Sequence, residues 1–266
     1  MSPGHLLVRR PSPALADGEL THLQRTPVDP ELALRQWQGY VAAFADRGWT
    51  VHQIAPADDH PDGVFVEDTV VMFDDLAVLA APGAASRRGE VATTEAALAT
   101  LPPELGLDVA RITEPGHLDG GDVLKIGRTV YVGASTRTDA AGIAQLEALL
   151  APRGWRVVAV PIAKVLHLKS GVTALPDGTV VGYPPLVDDA GVYPAFLAVP
   201  EEHGTAVVDL GPSTSGTQTI LMSADAPRTA DMYTARGLEV VAVPISEFEK
   251  LEGCVTCLSV RIRRTE

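Results

Sequence analysis

The sequence predicts an α/β fold in which five similar units close into a ring. Three observations carry that reading. A β-rich run, a polar loop, a further pair of apolar runs and an Ala-rich helix recur along the chain. The last copy stops without its helix. At the other end stand a strand and a helix that belong to no unit of their own, and these would complete the last copy and cover its open edge.

In order, "HLLVRRP" reads as the opening strand, and apolar periodicity predicts a helix from Pro30 to Asp46. The first unit runs through "GWTVHQIAP", "DGVFVEDTVVMF", "LAVLAAPG" and the helical "GEVATTEAALATL". The second runs through "GLDVARITEP", "GHLDGGDVLKIG", "TVYVGAST" and the helical "DAAGIAQLEALLAPRG". A third contains "GWRVVAVPI" and "LHLKSGVTALPDGTVVGYP". A fourth, less regular, contains "GTAVVDLGPSTSGTQTILMS" and a helix near Asp225 to Arg236. "GLEVVAVPI" and "LEGCVTCLSVRI" make the fifth. Residues 1–266 are expected to form a single domain, since 46% hydrophobic residues over this length can build one large core.

A formal charge of −13 with scattered Lys and Arg excludes the basic stripe of a nucleic-acid surface and suits a small cationic substrate. No stretch approaches the ~20 apolar residues of a membrane span, and no apolar signal region precedes Arg9 and Arg10, so the expected compartment is the cytoplasm.

Cys254 and Cys257, the only cysteines, share the stretch "GCVTC". A structural bridge is not expected in a reducing compartment, and no second Cys-x-x-Cys supplies the other ligands of a structural zinc site. Spacing alone leaves redox activity and a share in a metal site open. In each unit the polar cluster falls at the end of the first strand or the start of the second. A closed ring would therefore gather Asp62, Glu67 and Asp68, then Asp119 and Asp122, then His167, Ser213 to Thr217, and Cys257 at one side of a central channel. Cysteine and histidine brought together by folding point to nucleophilic catalysis. So many carboxylates in one cavity point to a cationic ligand.

The motifs "FVEDT", "PGAASRRGEV", "HLDGGDVL", "STRT", "HLKSGVT" and "GCVTCLSVRI", in this order between residues 62 and 262, resemble those of the dimethylarginine dimethylaminohydrolases, a family of the guanidine-modifying superfamily. The resemblance implies a five-fold pseudosymmetric α/β propeller of ββαβ-type repeats closed by the N-terminal strand and helix. It implies hydrolysis of N-methylated arginine to citrulline and a methylamine through a covalent cysteine adduct, with no cofactor and no metal. The implied partner is a small-molecule arginine derivative, with no nucleic acid and no membrane, and the chain is expected to act as a monomer or homodimer.

Residue by residue, the resemblance makes Cys257 the nucleophile, His167 the general acid and base, and Asp119 the carboxylate that orients His167, where some relatives carry Glu. Asp68 would hold two guanidinium nitrogens and Asp62 would be a further substrate-facing acid. Glu67 joins the substrate-binding group, although the period-two pleat of a strand lets only one of two adjacent acids face the pocket, and Asp68 is the one expected to. By the same pleat Cys254 would face away from Cys257. Arg87 and Arg137 would clamp the α-carboxylate, Leu20 would sit on a flap, and Phe65 and Leu251 would line the wall. His117 reads as a structural loop histidine. Three other readings share these residues: an arginine deiminase or N-hydroxyarginine-type hydrolase, a zinc hydrolase using His117, Asp119, His167 and Cys257, and a non-catalytic arginine-binding module.

Overall fold

The computed structural model describes residues 4–263. Its strands are β1 (His5–Val8), β2 (Thr50–Gln53), β3 (Val70–Phe73), β4 (Leu76–Leu79), β5 (Asp108–Arg111), β6 (Val123–Ile126), β7 (Thr129–Ala134) and β8 (Arg156–Pro161). They continue with β9 (Val172–Ala174), β10 (Val180–Gly182), β11 (Phe196–Ala198), β12 (Val207–Pro212), β13 (Gln218–Ser223), β14 (Glu239–Val243) and β15 (Val260–Ile262). The helices are α1 (Pro30–Ala45), α2 (Glu90–Leu98), α3 (Ala140–Leu150), the single turn α4 (Leu168–Gly171), α5 (Pro227–Ala235) and the single turn α6 (Ser246–Glu249).

These strands form five three-stranded sheets, β15-β1-β2, β3-β4-β5, β6-β7-β8, β9-β10-β11 and β12-β13-β14. In every sheet an inner strand pairs antiparallel with the central one, which pairs parallel with the outer one. A parallel pair needs a crossover, and α1, α2, α3 and α5 supply it. The fourth sheet crosses over through two short 3-10 turns instead, Pro184–Leu186 and Ala190–Val192. The expected closure is present: β1 lies between β15 and β2, with Leu6 opposite Arg261 on one side and Val51 on the other.

Each central strand is apolar because it feeds two cores at once. In β4, Leu76 and Val78 pack toward Leu146 and Leu150 of α3, whereas Ala77 and Leu79 pack toward Leu98 of α2. In β1, Leu6 and Val8 meet Trp37, Tyr40 and Phe44 of α1, while Leu7 turns to the neighbouring core. The inner strands enclose a channel of about 430 Å3 lined by Val70, Val123, Thr173, Val207 and Val260, one from each sheet.

The units read from the sequence are offset from the sheets by one strand. The run that opens the first, second, third and fifth units is the outer strand of the preceding sheet, as β2 is for β1, whereas the fourth opens on its own inner strand β12. Loops that lead into the inner strands therefore share one end of the ring, and the hairpin turns between inner and central strands lie at the other. Ser213 to Thr217 form such a hairpin turn between β12 and β13. Their hydroxyls bond one another in the open, and they do not join the other polar clusters.

Helix α1 follows its sequence signals. Asp29 caps it by accepting from the Glu31 and Leu32 amides, Pro30 occupies the first turn, and Ala33, Gln36, Trp37, Tyr40, Ala43 and Phe44 form the buried face. From that face the Tyr40 hydroxyl donates to the Val255 carbonyl at 2.9 Å and shares a 2.7 Å hydrogen bond with Ser259. The N-terminal helix thus grips the segment that carries Cys257. Tyr40→Phe should destabilise the protein by about 1–3 kcal/mol in urea unfolding, because the phenol is fully buried and its loss strands a carbonyl. An unchanged midpoint would mean that this grip contributes nothing.

Candidate active site

Six loops at the shared end of the ring meet over a small cavity of about 20 Å3, lined by Asp62, Phe65, Asp68, Arg87, Arg137, His167, Leu251 and Cys257 together with Glu19, Leu166, Glu252 and Gly253. Asp119 lies directly behind it, fully buried, with Oδ2 at 3.0 Å from His167 Nε2. The aspartate is therefore long enough to reach the imidazole at this position. Leu20 is not among the lining residues, and its neighbour Glu19 is. Glu67 lines the central channel instead.

Short 3-10 turns aim these side chains. Val66–Thr69 and Gly120–Asp122 are such turns, where the sequence suggested a strand running through "FVEDTVVMF". Asp68 and Glu67 do diverge, through the turn and not through a pleat. Glu67 accepts from Thr256 Oγ1 at 2.7 Å and pairs with Lys169 at 2.6 Å and Arg261 at 3.5 Å, all on the channel side. Asp68 Oδ1 accepts from the Gly121 amide at 2.8 Å, and Oδ2 accepts from Arg87. The paired glycines of "DGGD" are required by space. A Cβ on Gly120 would stand 1.9 Å from the Glu67 carbonyl oxygen, and one on Gly121 would stand 2.7 Å from both Asp68 Oδ1 and His167 Nδ1.

His167 immediately precedes α4, in an extended conformation that turns its ring inward. The next amide, Leu168 N–H, donates to Asp122 Oδ1 at 2.9 Å, and Ser135 holds the other oxygen at 2.6 Å. Asp122 is thus a positioning residue for the imidazole. Arg87, expected at the α-carboxylate, has other partners: Nε and Nη2 donate to Glu90 at 3.0 and 2.8 Å, Nη2 also reaches the Phe65 carbonyl at 3.0 Å, and Nη1 donates to Asp68. It clamps Asp68. Arg137 is 8% exposed, and its acidic neighbours are Glu19 at 2.8 Å and Asp119 at 3.8 Å.

The expectation that Cys254 turns away from Cys257 fails. Residues 254–257 form a turn closed by the Cys257 amide on the Cys254 carbonyl at 3.1 Å, and β15 begins only at Val260. A three-residue separation in a turn puts both side chains on one side, and the two sulfurs lie 3.4 Å apart. His117 stays outside the cavity, bonded to Asp139 at 3.0 Å and Arg88 at 2.8 Å, so the four-ligand zinc set does not assemble. Among the described residues Asp68, Asp119 and His167 place ligand atoms within 4.8 Å of one another. The Arg87 guanidinium on Asp68 already supplies positive charge there and disfavours adding a dication.

Electrostatics follow from this packing. Burial lowers an imidazole pKa, but the charge of Asp68, the hydrogen bond to Asp119 and the charge of Asp122 outweigh it and lift His167 to about 9. Burial raises a carboxyl pKa, yet His167, Arg87 and the Gly121 amide hold Asp68 at about 2. The sulfur contact with Cys254, burial and the Glu67 and Asp68 carboxylates push the Cys257 thiol up. At neutral pH the empty site therefore holds a thiol beside an imidazolium.

A family model described as arginine deiminase matches residues 50–211. The dimethylarginine dimethylaminohydrolase of Streptomyces coelicolor is 58% identical over 97% of this chain and 96% of its own. The chain belongs to the dimethylarginine dimethylaminohydrolase family. The Pseudomonas aeruginosa member is 32% identical over 97% of this chain and 98% of its own. A structure of the Pseudomonas aeruginosa enzyme, a cysteine-to-serine mutant complexed with citrulline, matches with a TM-score of 0.87 at 30% identity, covering 98% of this chain and 100% of that one. The product-bound N-terminal domain of ArgZ, a cyanobacterial arginine dihydrolase, shares the fold at a TM-score of 0.84 and 20% identity, over 99% of this chain and 98% of that one. The ring of five sheets is the α/β propeller of this family.

Sequence reasoning missed Glu19 and Glu252. Glu252 Oε1 accepts the Thr21 and Leu23 amides at 3.0 and 2.8 Å and so fastens the 21–23 loop over the cavity. No local signal marked Glu252, since its left-handed backbone, φ +60°, is a property of the folded turn.

The paired shifts give a stability signature. His167 is raised from an unfolded value of ~6.5, so its contribution is complete below that value and is lost as pH rises through about 9. Asp68 is depressed from ~3.9, so its contribution is complete above that value and is lost as pH falls toward about 2. The difference in melting temperature between the wild type and His167→Gln should be largest between ~4 and ~6.5 and should shrink on both sides. A difference independent of pH would show that the ion pair does not form.

Proposed function

We propose that the chain hydrolyses Nω-methylated arginine to citrulline and a methylamine. The observation that carries this reading is the placement of Cys257, His167 and Asp68 around one cavity, with Arg137 on the same cavity where the 16–25 loop closes it. The substrate guanidinium lies against Asp68 and Asp62, and Arg137 takes its α-carboxylate. Arg87, committed to Asp68 and Glu90, adds positive potential.

Bound guanidinium, a cation beside the buried thiol, lowers the Cys257 pKa and favours the thiolate, the thiol proton passing to solvent because His167 is already protonated. Sulfur attacks the guanidinium carbon and forms the C–S bond. The His167 imidazolium gives its proton to the methylated nitrogen, the C–N bond breaks, and the amine leaves from a tetrahedral adduct. A covalent thiouronium remains. His167, now neutral, takes a proton from water as that water attacks the same carbon, and collapse expels the sulfur and leaves citrulline. Asp119 keeps the ring facing this carbon through both proton transfers.

Cys257→Ser should abolish turnover, and His167→Ala given S-methyl-L-thiocitrulline, whose methanethiol leaves without an acid, should accumulate the covalent adduct in mass spectra of the quenched enzyme, because nothing remains to activate water. A Cys257→Ser protein with normal turnover would end the covalent mechanism. Citrulline formation from dimethylarginine, monomethylarginine, N-hydroxyarginine and arginine, with agmatine scored as carbamoylputrescine, tests the substrate. The methylated forms should lead, and a faster reaction with arginine would make the enzyme a deiminase.

Arg137→Ala should raise KM for dimethylarginine by about one to two orders of magnitude, the scale of a lost charge-assisted contact, with a smaller effect on kcat. Equal losses for dimethylarginine and agmatine would remove Arg137 from carboxylate recognition.

A further inference from the structure

Arg137 already has a carboxylate partner in the empty site, and it comes from the flap. Glu19 Oε2 stands 2.8 Å from Arg137 Nη2, and Oε1 accepts from the Ser86 hydroxyl. The Glu19 amide donates to Asp62 Oδ2 at 3.0 Å. One residue of the 16–25 loop therefore bonds both to the arginine assigned to the substrate carboxylate and to an acid assigned to the guanidinium. Arg87 is saturated by Asp68, Glu90 and two carbonyls, so Arg137 is the cavity arginine whose carboxylate partner sits on the half-exposed 16–25 loop. The Glu19 side chain is 40% exposed, at the solvent side of the pair, while Arg137 is 8% exposed.

With Glu19 in place the cavity of about 20 Å3 is little more than the ~10–15 Å3 that admits one water. An arginine derivative cannot enter until this loop yields. We infer that Glu19 is a tethered surrogate for the substrate α-carboxylate, a residue that must exchange with that carboxylate on Arg137. The inference rests on the proposed binding of the α-carboxylate by Arg137. A carboxylate on a short tether has an effective concentration in the millimolar range, so it competes measurably with free amino acids. A ligand that brings a carboxylate replaces one ion pair with another. A ligand without one displaces Glu19 and leaves Arg137 with no replacement partner, so the new pair on Arg137 favours amino acids over their decarboxylated analogues, and Glu19 sets how tightly either is held.

Glu19→Gln keeps the size of the side chain and removes its charge. In this variant KM for dimethylarginine and the inhibition constant of L-citrulline should each fall about 3- to 10-fold, while kcat changes less, and agmatine, which also needs the loop to yield, should gain by no more than the same factor. Glu19→Asp, which restores the charge, should return most of the difference. In an Arg137→Ala background Glu19→Gln should give little or no tightening, since the competed cation is gone. A rise in KM would instead place Glu19 on the substrate ammonium, and unchanged constants for all three ligands would make it a steric plug, whose size the substitution keeps; either result overturns the inference. Failure of the underlying reading looks different: Arg137→Ala alone would then leave the L-citrulline constant unchanged. If Arg137→Ala weakens L-citrulline and Glu19→Gln fails to tighten it, only the surrogate role falls.

Discussion

Asp68 and Asp119 flank one imidazole, all three almost fully buried, and the architecture around them is arranged to keep that charge balanced. An isolated ionised carboxylate at such depth costs several kcal/mol. Here Arg87 and His167 supply the counter-charges, at Asp68 Oδ2 and Asp119 Oδ2 respectively. Arg87 in turn needs Glu90, the first residue of α2, so the position of that helix is tied to the site. Asp122 fixes the backbone behind His167, and the two glycines of "DGGD" let the second loop approach closely enough for an amide to reach Asp68. Removing any one member leaves a buried charge without a partner, which is why these contacts form a set.

A second set, Glu67 with Lys169, Arg261 and Thr256, balances charge on the channel side of the same layer. The Glu67 amide also donates to the Cys257 carbonyl at 3.2 Å. The segment bearing the thiol is therefore held from below by Glu67 and from outside by Tyr40, while its sulfur stays in the cavity. Two adjacent acids divide the labour: one belongs to the reaction side and one to the support beneath it.

The repeat, the ring closure by the first strand and most helix positions are legible in the sequence because they depend on apolar periodicity and caps. Asp29 before Pro30 and the alternation through "LAVL" are local signals with local consequences. What escaped was set by long-range partners or by turns. "GCVTC" has the composition of a strand, but packing against Tyr40 and Glu67 bends it, and so Cys254 faces the same way as Cys257. The same holds for "FVEDT", where a 3-10 turn and not a pleat separates Glu67 from Asp68. Ser213 to Thr217 carry suitable chemistry at the wrong end of a hairpin, a distinction that depends on the one-strand offset between sequence units and sheets. Glu19 could not be singled out, since its meaning depends on Arg137, 118 residues away.

The central place of β1 in its sheet has a consequence for how the molecule assembles. Residues 5–8 bond on one side to residues 50–53, made soon afterwards, and on the other to residues 260–262. During synthesis the first sheet must wait as a two-stranded parallel pair with one edge open until nearly the whole chain has emerged. Cys257 lies three residues before that final strand. The thiol is therefore seated by the same late, long-range pairing that seals the ring, and a chain that has not closed has no formed site in which to present it.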